Sequence, residues 1–299
     1  MQNKTPVKLS AYCMNCLIKK QLENIKETVH EEIKAKYMKD VFKIIAHADE
    51  SETAPVIIEK IGILYQTYFH ENYSFDEVKR NFNQMMLMEE PYINEIIESS
   101  PDPIHTAMQY ARVGNYIDFG TLTDVSYHKL KELLSSAKDD TIHALEYQAF
   151  IKDLESADSF VYLTDNCGEI VLDKLLIQTI KKHYVNLHIT VIVRGKPVLN
   201  DATMEDAIEV GLSEIVEVIH NGSGVAGTHL TGISKNALEV INNADIVISK
   251  GQGNFETLNG CGKNIYYMFL CKCEWFVTRF ALEQYKGVFI NDSRIEMNG

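Results

Sequence analysis

The sequence predicts an α/β protein in which a helical N-terminal region, residues 1–156, joins a Rossmann-like, mainly parallel sheet flanked by helices, residues 157–299. Two observations predict it. Before residue 157 apolar residues recur at helical spacing, with clear breaks such as Ser99-Ser100-Pro101-Asp102-Pro103. After it, short apolar runs alternate with helical stretches, and that alternation requires crossover connections between parallel strands.

In the first region, helical spacing covers Asn15 to about Tyr37, Ala54 to His70, Ser74 to Pro91, Pro103 to Tyr110, Tyr127 to Leu134 and Thr141 to Leu154. Asp76 and Glu77 fall in the first turn of the third helix, where the helix dipole favours negative charge. In the second region the apolar runs Phe160–Thr164, His188–Val193, Ile215–His220, Asp245–Ser249 and Ile265–Leu270 read as strands, with Val288–Asn291 as a final edge strand. The first strand is rich in β-branched and aromatic residues. It runs straight into a segment, Ile170 to Ile180, whose apolar residues lie close to one helical face.

Composition narrows the function classes. The 299 residues suffice for one large domain or two ordinary ones. Formal net charge is −13, from 29 basic and 42 acidic residues, and no basic block offsets it; nucleic acid and anionic membrane are therefore not expected as partners. No apolar stretch is long enough to span a bilayer, and MQNKTPVKLSAY lacks the apolar core of a signal peptide, so the expected location is cytoplasmic.

The chemistry collects at strand ends. After the first strand comes Asp165-Asn166-Cys167-Gly168-Glu169; after the second, Arg194-Gly195-Lys196-Pro197-Val198-Leu199-Asn200-Asp201; after the fourth, Lys250-Gly251-Gln252-Gly253-Asn254. Singly, each reads as well as a helix cap or a glycine turn. In a parallel sheet, however, all three ends face one edge, where ligands of open α/β sheets bind. Acids on two ends, with cations and a Gly-x-Gly turn on two, fit a divalent metal held by oxygen ligands beside a phosphate pocket.

At these residues the chain resembles the DUF89 family, the damage-control phosphatase or ARMT1-like group, in its prokaryotic branch. The matching pieces are Asp165-Asn166-x-Gly168-Glu169, Gly195-Lys196-Pro197-x-x-Asn200-Asp201-x-Thr203 and Lys250-Gly251-Gln252-Gly253-Asn254-x-Glu256. Ala111-Arg112-x-Gly114-Asn115-x-x-Asp118 and Cys13-x-x-Cys16 agree as well. The resemblance implies a metal-dependent phosphomonoesterase acting on small phosphorylated metabolites, such as sugar phosphates or phosphorylated cofactor precursors, in metabolite damage control. It implies Asp165, Asn166 and Asp201 as ligands of Mn²⁺, Mg²⁺, Co²⁺ or Ni²⁺. Phosphate falls to Lys250, Asn254 and Arg194 with the Gly251 and Gly253 loop, while Asn115, Asp118 and Glu169 border the site. Catalysis then rests on Asp165, Asp201 and Lys250, by attack of water, with an aspartyl-phosphate on Asp165 as the open alternative. Cys167 departs from the family, which more often has a small residue there.

Three further readings stand beside this one. The resemblance also admits an S-adenosylmethionine-dependent carboxyl methyltransferase, although an acidic turn after the first strand suits a metal better than a nucleoside cofactor. Cys13, Cys16, Cys271 and Cys273 are candidates for a structural Zn²⁺ site, against buried free thiols or a redox pair. The Gly-rich loop after His220 reads equally as a segment that lines or covers the site and as a plain surface loop.

Overall fold

A computed structural model describes residues 7–27, 30–49, 51–70, 75–115, 127–280 and 286–295. Among the described residues seven α-helices precede the sheet: α1 (Ala11–Asn24), α2 (Glu31–Ala46), α3 (Ala54–Phe69), α4 (Asp76–Ser99), α5 (Pro103–Gly114), α6 (Tyr127–Ser136) and α7 (Ala144–Ser156). Strands and helices then alternate: β1 (Ser159–Leu163), α8 (Glu169–His183), β2 (His188–Val193), α9 (Met204–Glu209), β3 (Glu217–His220), α10 (Lys235–Asn243), β4 (Ile246–Lys250), α11 (Gln252–Leu258), β5 (Ile265–Leu270), α12 (Glu274–Phe280) and β6 (Gly287–Asn291). The six strands lie in the order β3-β2-β1-β4-β5-β6. The first five are parallel, and β6 closes one edge antiparallel to β5. The α/β architecture expected from the alternation of runs is therefore the one observed.

Period-two alternation divides the core. Phe160, Tyr162, Ile246, Ile248, Tyr266 and Met268 point to one face, packed under α4, α5, α7 and α8. Val161, Leu163, Val247, Ile265, Tyr267 and Phe269 point to the other, where α10 and α11 pack. Helices from before residue 157 thus share one core with the sheet. Only α1–α3 bury a cluster of their own, around Leu17, Tyr37, Val41, Ile57 and Tyr65.

Two helices depart from the spacing read in the sequence. The stretch from Asn15 to Tyr37 is not one helix but α1 and α2, separated after Asn24. A straight helix would carry Leu17 and Tyr37 far apart; the fold-back instead buries Ile25 fully and lets the Tyr37 hydroxyl donate to Gln21 Oε1 at 2.6 Å. Conversely, α4 does not stop at Pro91 but continues to Ser99. Pro91 removes one backbone hydrogen bond, at a cost of about 3 kcal/mol in a helix interior. Ile93 and Ile97, each 1 % exposed, extend the buried stripe of Phe82 and Met86 and offset it. Among the described residues no helix is long and apolar enough to cross a membrane.

The shared core is testable at Phe150, which sits on α7 with its ring 5.2 Å from Tyr266 and 5.6 Å from Phe289. Phe150→Ala should lower the unfolding free energy by about 3–5 kcal/mol in urea titration. A loss below about 1 kcal/mol would show that α7 is not part of the sheet's core.

Candidate active site

The order of the strands reverses between β1 and β4, so the loops after these strands flank a switch point. Backbone hydrogen bonds draw the loop after β2 to the same place. Ala202 N–H donates to Asp165 O at 2.7 Å, and Cys167 N–H donates to Asn200 O at 2.8 Å. This pairs Asn166 with Asp201 in a one-residue antiparallel bridge. Three polar residues from two loops, Asp165, Asn166 and Asp201, are thereby neighbours.

Gly251 and Gly253 are required for close packing. Gly251, at φ 79°, lies so near the Asp165 carboxylate that a Cβ would stand 2.1 Å from it. A Cβ on Gly253 would fall 2.0 Å from Ala226 O. The loop after His220 is therefore not a plain surface loop: it lines the site rather than covering it. Its Asn221, Ser223, Val225 and Thr228 are buried, and it forms a fixed wall against Gly195 and Gly253.

Two buried cations hold the acids apart. Arg194 donates through Nε to Asp201 Oδ2 at 2.6 Å and through Nη1 to Asn254 Oδ1 at 3.0 Å. Its Nη2 is buried without a hydrogen-bond partner, 3.7 Å from Asp165 Oδ1. Asn254 is fixed in turn by donating to Thr164 O and Lys250 O at 3.1 and 2.7 Å. Lys250 lies behind the turn, fully buried: its ammonium meets Glu169 Oε1 at 2.6 Å, Asp173 Oδ1 at 2.5 Å and Ala111 O at 2.8 Å. Asn115 sits at the end of α5 and crosses between strand ends. Its amide donates to Asp165 Oδ2 at 3.1 Å and to Glu169, and its carbonyl accepts from Leu270 N–H at 2.9 Å. Asn166 Nδ2 donates to Asp165 Oδ2 at 2.7 Å and Glu169 Oε2 at 2.9 Å.

The electrostatics follow from this inventory. Asp165, Glu169, Asp173 and Asp201 outnumber Arg194 and Lys250. Burial, then the neighbouring Asp201 and Glu169, pushes Asp165 well above the carboxylate range, against the pull of Arg194 and Lys272. Burial also raises Asp201, although Arg194 opposes it. Asp173, buried beside Glu169, is pushed up to about 7 despite Lys250. The cluster is short of positive charge, and a divalent cation on two carboxylates and a carboxamide would supply it. The donor set fits such an ion, and the guanidinium nitrogen beside it, without a hydrogen-bond partner, fits an anion next to that ion.

Several participants escape the motifs. Asp173 lies one turn after Glu169 on α8 and accepts from the Tyr162 hydroxyl at 2.7 Å; the four-residue spacing was its only sequence signal. Lys272, just past β5, acts on Asp165, as a cation at the next strand end would. Asp118 lies outside the described residues. Cys16 is exposed while Cys271 is buried, and Cys13, raised by burial, feels Glu256 and Cys273. Among the described residues no group of three or more His, Cys, Asp or Glu side chains is placed to hold a metal, so the four cysteines are not gathered as a zinc site.

A polar site at the switch point of a 3-2-1-4-5-6 sheet, with carboxylates and a buried guanidinium on adjoining loops, defines an α/β protein suited to a cation and an anion together. The chain belongs to the family described as the damage-control phosphatase ARMT1-like domain, which it matches over residues 9–288. It is 31 % identical to a damage-control phosphatase of Archaeoglobus fulgidus, across 90 % of this chain and 93 % of that one. It is 33 % identical to damage-control phosphatase PH1575 of Pyrococcus horikoshii over 56 % of this chain and 58 % of the relative. The crystal structure of the DUF89 family protein PH1575 from P. horikoshii superposes with a TM-score of 0.81 at 25 % identity, covering 95 % of this chain and 99 % of that one.

The burial of Lys250 yields a quantitative expectation. Lys250→Met leaves Glu169 and Asp173 without their cation and should cost about 3–5 kcal/mol in urea unfolding. Adding Asp173→Asn should restore part of that loss. A single variant as stable as the parent would refute the buried ion-pair role.

Proposed function

We propose that this protein is a divalent-metal-dependent phosphatase of small phosphorylated metabolites, acting in metabolite damage control. The observation that carries the reading is Arg194 Nη2: a buried donor without a hydrogen-bond partner beside Asp165, among acids that outnumber their buried cations. Two relatives named as damage-control phosphatases support the same class. They also disfavour the carboxyl methyltransferase alternative.

Asp165, Asn166 and Asp201 would hold the ion, drawn from Mn²⁺, Mg²⁺, Co²⁺ and Ni²⁺. When bound, it supplies Lewis-acid polarisation of the phosphoryl group and neutralises part of its charge. The chain's own residues do the rest. Arg194, held by Asp201 and Asn254, turns Nη2 toward the phosphoryl oxygens, whose charge a fixed guanidinium stabilises. Asn115 and Asn166 both engage Asp165 Oδ2, which leaves Oδ1 toward Arg194 to orient the attacking water. Water adds to phosphorus, the ester P–O bond breaks, and the products are inorganic phosphate and an alcohol. Lys250 serves this site from behind, through Glu169, and Lys272 adds positive charge from the β5 end.

Finer assignments belong to the same proposal. Mn²⁺ is the metal to test first. Cys13-x-x-Cys16 supports assignment to the prokaryotic branch of the family. Six cysteines without a disulfide support a cytoplasmic setting.

The decisive measurement is hydrolysis of p-nitrophenyl phosphate with Mn²⁺. Asp165→Ala and Asp201→Ala should each abolish it while circular dichroism shows a folded protein. Metal-dependent activity surviving in both variants would reject the ligand assignment. Titration of S-adenosylmethionine should release no heat.

A further inference from the structure

The helix α4 carries an asparagine that none of the strand-end motifs includes. Asn83 is fully buried in the middle of the helix, where its side chain brings a poor helix propensity and a costly polar group. Its side-chain hydrogen bonds all leave its own helix. Oδ1 accepts from Gly168 N–H at 2.7 Å, in the turn that follows Asp165 and Asn166. Nδ2 donates to Asp206 Oδ1 at 3.0 Å and Glu209 Oε2 at 2.9 Å, on the helix that follows Asp201.

One turn earlier, Lys79 Nζ meets Asp206 Oδ2 at 2.6 Å. Asp206 in turn accepts from Thr203 N–H and Oγ1, both at 2.8 Å, closing the capping box that ends the Asp201 loop. The helix itself is anchored. Phe82, Met86, Ile93 and Ile97 are in the core, and Glu90 pairs with Lys174 of α8 at 2.6 Å. A rigid element therefore grips both loops from one side, while the Asn166–Asp201 bridge joins them from the other.

We propose that Asn83, assisted by Lys79, is a positioning residue that sets the separation of the Asp165–Asn166 turn from the Asp201 loop, and thereby the affinity of these residues for a divalent ion. The inference rests on the metal-binding reading of the site given above. It assigns α4 a part in the chemistry although it contributes no ligand. Neither side chain touches the ion's ligands directly; each acts through the loop that bears them.

The test pairs two variants with two readouts. Mn²⁺ affinity is measured by isothermal titration calorimetry on the full chain, and the metal-free turn by the alkylation rate of Cys167, followed by peptide mass spectrometry. Cys167 is fully buried between Asn166 and Gly168, so it reports on the turn that Asn83 holds. Asn83→Ala should weaken Mn²⁺ binding about 10- to 100-fold and speed Cys167 labelling. Lys79→Met, whose side-chain contacts are to Asp206 and Thr203 of the second loop, should weaken binding without speeding Cys167 labelling, since the lost charge also favoured the Cys167 thiolate. Should Asn83→Ala fail to fold, Asn83→Ser serves in its place. A folded Asn83 variant with Mn²⁺ affinity and Cys167 labelling within about twofold of the parent overturns the proposal. If the parent chain itself releases no heat with Mn²⁺, the metal reading fails; labelling then decides the clamp alone, faster labelling sustaining it and unchanged labelling overturning it.

Discussion

The candidate site depends on two backbone hydrogen bonds. Asp165 O and Asn200 O each accept an N–H from the other loop, at 2.7 and 2.8 Å, and so bind the end of β1 to the loop after β2. Neighbouring parallel strands would otherwise let their connecting loops diverge, since each turns into its own helix. This short bridge places Asp201 against Asn166 instead, and brings carboxylates closer than their repulsion alone would allow. Arg194 can lie between them because both loops are already fixed. Gly251 and Gly253 follow from the same crowding, having no room for a side chain.

The two buried cations divide the work by their geometry. The planar fork of Arg194 spreads its donors over Asp201, Asn254 and the space beside Asp165, leaving one nitrogen uncommitted. The compact ammonium of Lys250 is saturated by Glu169, Asp173 and Ala111 O. One cation thus keeps a donor without a hydrogen-bond partner beside Asp165, while the other holds together the acids that carry the turn. Glu169 joins the two layers: it accepts from Asn115 and Asn166 on one side and from Lys250 on the other.

Much of this was legible in the sequence because parallel strands have a polarity. Strand runs at Phe160, His188 and Ile246 place Asp165, Arg194 and Lys250 at one edge whatever the loops do, and the short run Val288–Asn291 offered a further edge strand. What could not be read were contacts set by packing across long separations. Asn83 meets Gly168 from 85 positions earlier, with only a buried polar residue on an amphipathic helix to announce it. Lys250 read as a phosphate cation because its burial against α8 depends on the crossover, not on its own loop. The break after Asn24 carries neither glycine nor proline, so helical spacing ran across it. Pro91 misled in the other direction, since tertiary packing outweighed its local cost.

The separate core of α1–α3 has a consequence for how the protein breathes. Among the described residues its eight buried core side chains form a cluster apart from the two that clothe the sheet. Cooperative units of this kind open sub-globally at lower free energy than the whole domain. Since α3 sets Glu59 against Gly224 in the wall beside the site, such an opening would expose that wall while the carboxylate-bearing loops, anchored in the larger core, keep their native spacing.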